Sequence, residues 1–152
     1  MAAFSNSAWK IIPQFCSISI PQTIKFYTES LHFTLGGTHP DDENSIPIFC
    51  SVAIGKKADA NIYFFKTKLP SSTNERGSED TERVFHHSSA MIALGTTELD
   101  EYYDILTKEG TVKITRPIED QPWGYRQFTV EDPDGNKLTF FKFLEGGNPG
   151  TE

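Results

Sequence analysis

The chain has 152 residues, 37% of them hydrophobic and 23% charged, which is enough for one packed core. Its net charge is −7 and its lysines and arginines form no basic stripe, which argues against nucleic acid or an anionic membrane as partner and is compatible with a cationic ligand. No apolar run approaches the roughly 20 residues of a membrane span.

The start of the chain, Met1 to Ser7, lacks the basic and long apolar stretches of a signal peptide. The two cysteines, Cys16 and Cys50, both lie in apolar runs and read as reduced, buried thiols. A cytoplasmic location is the expectation. Twelve Phe and five Tyr are many for this length, so some should line a core or a ligand cleft.

In chain order, Lys10 to Ile18 reads as a first strand, with Pro13 at an edge or bend because it cannot donate to a ladder. Ser19 then caps a helix, with Gln22 at the capping-box position and Pro21 in the first turn. Ile24, Tyr27 and Leu31 recur at helical spacing, and Gly36-Gly37 closes the unit. Strands are predicted at Phe33 to Thr38, Ile46 to Ile54 and Asn61 to Lys66, the last two separated by the turn Gly55 to Asp59.

From Lys66 to Arg83 the chain is too polar to pack a core and reads as a mobile linker or surface loop. The same order then returns. Ser88 to Gly95 is a predicted strand, and Thr97 is the expected cap of a helix carrying Glu98, Asp100 and Glu101 in its first turn. Leu99, Tyr102, Tyr103 and Leu106 form its inner stripe, Lys108 lies near its end, and Gly110 stops it. Strands follow at Thr111 to Thr115, Tyr125 to Glu131 and Lys137 to Phe143.

The expected architecture is α+β: two βαβββ modules forming a curled, cup-like mixed sheet with helices on the outside. One domain over 1–152 is expected, with modules at about 10–67 and 86–144 and a linker at 67–85. The two strand faces should curl against each other, burying a core and leaving a cup.

The turn Asp132-Pro133-Asp134-Gly135-Asn136 has a local mechanism. Pro133 presets φ, Asp132 can accept from the backbone ahead, and Gly135 supplies a left-handed residue. Asp120 to Phe128 followed by Val130 to Asn136 closely resembles the last module of vicinal oxygen chelate proteins, the glyoxalase, bleomycin-resistance and extradiol-dioxygenase relatives. Phe26 to Phe33 is similar to that family's first helix and Leu99 to Tyr103 to its second, while Gln121-Pro122-Trp123-Gly124 points to the bleomycin-resistance branch.

The resemblance carries expectations for the site. Family enzymes hold a divalent metal with four side chains, and those positions fall here on Ile12, Tyr63, Met91 and Thr139. None is a ligand a hard or borderline cation favours, so no metal and no cofactor are expected. The four histidines each have a bland reading: His32 as a helix C-terminal partner, His39 in a polar loop, and His86 and His87 pointing to opposite faces ahead of a strand.

The resemblance also implies stacking of a planar ligand on Trp123 and Phe49, with Tyr63, Met91 and Thr139 facing the cavity. Arg126 is expected to brace the hairpin or an acidic neighbour, a ligand carboxylate being the other role open to it. A homodimer is implied, with an N-terminal strand crossing at Pro13, although pairing within one chain is equally buildable.

The leading expectation is a metal-independent small-molecule-binding protein that sequesters a planar natural product or antibiotic. Its competitors are a metal-free isomerase or lyase of secondary metabolism using Tyr63, His87 or Glu131 as acid or base, and a metal-dependent glyoxalase or dioxygenase with atypical ligands. A family member kept for an interaction, without a ligand, is the last. No nucleophile–base pairing or two-carboxylate signature marks the chain as an enzyme, and that question stays open.

Overall fold

The computed structural model describes residues 3–68 and 85–144. The polar stretch predicted as a linker lies almost wholly outside the described residues. The elements are β1 (Gln14–Ser17), α1 (Ile20–Lys25), β2 (Thr34–His39), β3 (Phe49–Ile54), β4 (Ala60–Lys66), β5 (Ser89–Ala93), α2 (Glu98–Glu109), β6 (Lys113–Asp120), β7 (Tyr125–Glu131) and β8 (Lys137–Phe143). They form two four-stranded mixed sheets, ordered β1-β4-β3-β2 and β5-β8-β7-β6. In each, the first strand runs parallel to the fourth and the other neighbours are antiparallel. This is an α+β fold of two βαβββ units, with no ladder joining the two sheets among the described residues.

Local chemistry explains most element ends. The Ser19 hydroxyl accepts the Gln22 N–H at 3.3 Å, which satisfies one orphan donor at the start of α1. A π-helical turn, Phe26–Ser30, prolongs α1 and brings Tyr27 and Leu31 into the core. Gly110 ends α2 in the left-handed region (φ 69°), its N–H bonded to the Leu106 carbonyl at 3.1 Å.

Several expectations need correction. Thr97 does not cap α2 with its side chain: its backbone is already helical (φ −93°, ψ −28°), its hydroxyl accepts no backbone N–H, and it donates to the Glu98 carboxylate at 2.9 Å. β1 begins only at Gln14, after the Pro13 carbonyl has taken the Tyr63 N–H at 3.0 Å. Ile46 and Ile48 lie exposed ahead of β3. β6 continues past Thr115 to Asp120, since a strand at the sheet edge can accommodate Pro117. His32 takes a left-handed conformation (φ 63°) after the helix, and its ring pairs with Glu109 of α2 at 2.8 Å instead of capping its own helix.

Burial follows the helix-covered faces. Cys50, Val52, Ile62 and Phe64 of the first sheet, and Phe128, Val130, Leu138 and Phe140 of the second, are buried with Tyr27, Leu31, Leu99 and Leu106 in one core. The two units share that core: Phe33 meets Phe140 edge-on at 6.4 Å, and the Tyr102 hydroxyl donates to the Leu31 carbonyl at 2.6 Å. The core therefore lies on the helix side and not between two bare strand faces. Most of the alternate residues on β3, β4, β7 and β8 stay half-buried or exposed, Ala53 and Thr129 excepted.

Candidate functional site

Those alternate residues are aromatic in both sheets. On β3 and β4, Phe49 lies opposite Phe65 and Ser51 opposite Tyr63, and the Phe49 ring contacts Tyr63 at 5.1 Å and Phe65 at 5.2 Å. On β7 and β8, Tyr125 lies opposite Phe143 and Gln127 opposite Phe141. The Tyr125 ring contacts Phe141 at 5.1 Å and Phe143 at 4.9 Å. Of these rings sequence reasoning singled out Phe49 and Tyr63 for the site and missed Phe65, Tyr125, Phe141 and Phe143. The signal was present, because period-two alternation sets Phe141 and Phe143 on the same face as Thr139.

Trp123 stands in the turn from β6 to β7 with 57% of its surface exposed. The turn is tied by the Gln121 N–H to the Tyr125 carbonyl at 2.6 Å, and Gly124 supplies a positive φ of 88°. The indole N–H donates to the Gln127 side chain at 3.4 Å, which ties the ring to β7.

The ladders also locate the family's ligand positions. Met91 lies opposite Thr139, and Tyr63 lies opposite Gln14. Ile12, the expected first-strand position, precedes β1, and the β1 residue opposite Tyr63 is Gln14. Met91 presents a half-exposed thioether, and the Thr139 hydroxyl is hydrogen-bonded to that of Thr129 at 2.8 Å. Gln14 carries the one amide oxygen in the set. Among the described residues no three His, Cys, Asp or Glu side chains cluster as ligands. These donors do not fit a hard or borderline divalent metal.

Arg126 points to the helix side, with its guanidinium 2.8 Å from Asp100 of α2 and 2.9 Å from Asp120 of β6. Hydrogen bonding to Arg126 holds the Asp100 carboxyl below its usual range. That geometry makes it a brace between α2, β6 and β7. His87 and Glu131 do come together, lining a cavity of about 370 Å³ with Ser88, Ser89, Gly135 and Lys137. A Cβ at Gly135 would lie 2.9 Å from the His87 ring, so the glycine makes room for that ring. Glu131 is ion-paired to Lys113 at 2.7 Å, which lowers its pKa. Tyr63 sits on the other sheet, so the three acid–base candidates do not converge on one place.

The β7–β8 hairpin is built as a strut. Asp132, 6% exposed, accepts from the backbone N–H groups of Asp134 and Asn136, both at 2.9 Å. Its other oxygen accepts from the Asn136 amide at 2.9 Å and the Tyr27 hydroxyl at 2.8 Å. The Asn136 amide also reaches the Cys16 carbonyl, and Asp134 accepts from the Ile18 N–H at 3.2 Å. Burial raises the pKa of Asp132 and Asp134, and burial beside Asp132 pushes the Tyr27 phenol well up. Burial likewise pushes the Cys50 thiol up to about 12, which makes it an inert core group.

This geometry has counterparts among known proteins. The sequence profile of the Glyoxalase/Bleomycin resistance protein/Dioxygenase superfamily matches residues 15–140. A bleomycin resistance protein from Geobacillus stearothermophilus is 27% identical over 126 residues, covering 83% of this chain and 90% of that protein. A superfamily member from Sphaerobacter thermophilus DSM 20745 superposes with a TM-score of 0.58 at 26% identity, covering 88% of this chain and 96% of its own. TioX from Micromonospora sp. ML1 shares the fold, with a TM-score of 0.65 at 16% identity over 88% of this chain and 98% of its own. The chain belongs to the glyoxalase/bleomycin resistance protein/dioxygenase superfamily.

Proposed function

We propose that this chain is a metal-independent binding protein that sequesters a planar natural product or antibiotic on its aromatic sheet face. The observation that carries this reading is Trp123, a large ring 57% exposed in the turn leading into β7, the strand whose Tyr125 packs on Phe141 and Phe143. An offset stack on such a ring adds about 0.5–1.5 kcal/mol beyond the area it buries. Bleomycin is the first probe, because relatives 27% identical to this chain carry its name.

The reading includes one domain of two modules, a homodimer and a cytoplasmic location. Two exposed side chains just before β1, Trp9 at 86% and Ile11 at 91%, support association of two copies. Two buried cysteines that form no disulfide with each other fit a reducing compartment.

The test is a bleomycin titration followed by tryptophan fluorescence, with Trp9→Phe as background so that Trp123 alone reports. Saturable quenching that disappears in Trp123→Phe is expected. Unchanged fluorescence up to high micromolar ligand would sink the sequestration reading, and stoichiometric metal in the purified protein would sink its metal independence.

The metal-free isomerase or lyase is the second reading, favoured by His87 and Glu131 lining one cavity. Ion-paired to Lys113, Glu131 is held as a carboxylate, which suits it to a base and not to an acid. Turnover that survives chelators and Trp123→Phe but is lost in His87→Gln would move the assignment there.

A further inference from the structure

The face that carries the aromatic rings changes character along the β7–β8 ladder. Its rungs, in order, are Tyr125 with Phe143, Gln127 with Phe141, Thr129 with Thr139, and Glu131 with Lys137. The first two rungs carry the rings. The third is neutral: its two hydroxyls are hydrogen-bonded to each other at 2.8 Å, and Met91 of β5 lies beside Thr139. The last rung is charged and helps to wall the 370 Å³ cavity that His87, Ser88, Ser89 and Gly135 complete.

Charge around that cavity is unevenly spent. Glu131 is ion-paired at 2.7 Å to Lys113, its neighbour on β6. Lys137 lies opposite Glu131 on the other side, yet forms no ion pair with it. Asp134, the other carboxylate whose charge reaches His87, is engaged on the α1 side of the hairpin, where it accepts from the Ile18 N–H at 3.2 Å and the Thr23 hydroxyl at 3.4 Å. The Lys137 ammonium is therefore the charge left for the cavity, and the Ser89 hydroxyl and His87 ring add neutral donors to its wall. The ring has a built seat: Phe85 meets it edge-on at 5.3 Å, and Gly135 leaves room for it. One cation with neutral donors beside it suits a monoanion, and a carboxylate accepts from several donors at once.

We propose that the ligand of this face carries a carboxylate, held by Lys137 in the cavity beside His87 and Ser89, and joined to its planar group by an apolar span across Met91 and Thr139. Strand geometry sets the length of that span. Four residues separate Lys137 from Phe141, which is about 13 Å of extended chain. This specificity rests on the proposed binding of a planar group to the aromatic face.

The probes are naphthyloxyhexanoate, the shorter naphthyloxyacetate and the amine naphthyloxyhexylammonium, followed by NMR at the His87 ring and the Trp123 indole N–H. The long carboxylate should shift both signals saturably. It should bind about fivefold more tightly than either control, the worth of one exposed ion pair. Lys137→Met, which keeps the length and removes the charge, should abolish that preference, and Lys137→Arg should keep it. The Lys137 side chain is exposed, so both variants should fold.

Equal binding of the three probes to the wild type would overturn the proposal. So would a preference that survives Lys137→Met, or a long carboxylate that shifts one of the two signals without the other. A carboxylate preference in the absence of bleomycin quenching would remove bleomycin sequestration and leave this specificity standing. Bleomycin quenching with equal binding of the three probes would do the reverse.

Discussion

Each βαβββ unit joins its third and fourth strands by a turn, and the two turns are held very differently. The β7–β8 turn, Asp132 to Asn136, is clasped to the other unit through Tyr27, Cys16 and Ile18. The β3–β4 turn, Gly55 to Asp59, is exposed throughout and carries Lys57 and Ala58 at φ 65° and 56°. Near the end of β3, a second cavity of about 240 Å³ remains between Ile54, Leu94 and the α2 residues Glu98, Glu101, Tyr102 and Ile105. One turn closes the interface between units. The other leaves strain and open space.

The clasp should therefore be the costlier turn to disturb. Asp132→Ala strips acceptors from Tyr27, Asn136 and two backbone N–H groups, and should cost about 3 kcal/mol in urea unfolding. A loss below about 1 kcal/mol, within the range of an ordinary hydrogen bond, would show the two turns to be energetically alike.

A pH series sharpens the same contrast. Burial raises the folded-state pKa of Asp132 above its unfolded value. The stability this carboxyl contributes is therefore complete below the unfolded pKa and is lost as pH rises through the folded one. Relative to wild type, Asp132→Asn should gain stability steadily from pH 4 toward 7 in thermal melts. A difference that stays flat with pH would refute a raised Asp132.

The open turn gives the smallest effect, with the opposite sign. Ala58→Gly removes a Cβ from a left-handed position and should stabilise by about 0.5 kcal/mol, since relief of strain exceeds the added entropy of the unfolded chain. Destabilisation in a calorimetric melt would show that the Ala58 conformation is not strained.

Much of the fold was legible because its signals are local. The β7 and β8 boundaries follow from two-residue alternation on either side of a Pro-Asp-Gly turn, and the Ser19 cap and Gly110 stop follow from single side chains. Thr97 was misread because a side-chain cap needs an extended backbone at the cap residue, and Thr97 is already helical. The aromatic face was half legible. Alternation sorts Phe141 from Phe140, but which set faces the helix is decided by packing across units.

Composition and periodicity by themselves determined a duplicated βαβββ chain, and the resemblance carried by its motifs pointed to this superfamily, because each depends on residue type and short spacing. The tertiary structure alone decided that Arg126 is a brace and that Asp132 of the hairpin is a buried clasp. Those roles depend on neighbours far along the chain: Asp132 meets Tyr27 across 105 positions.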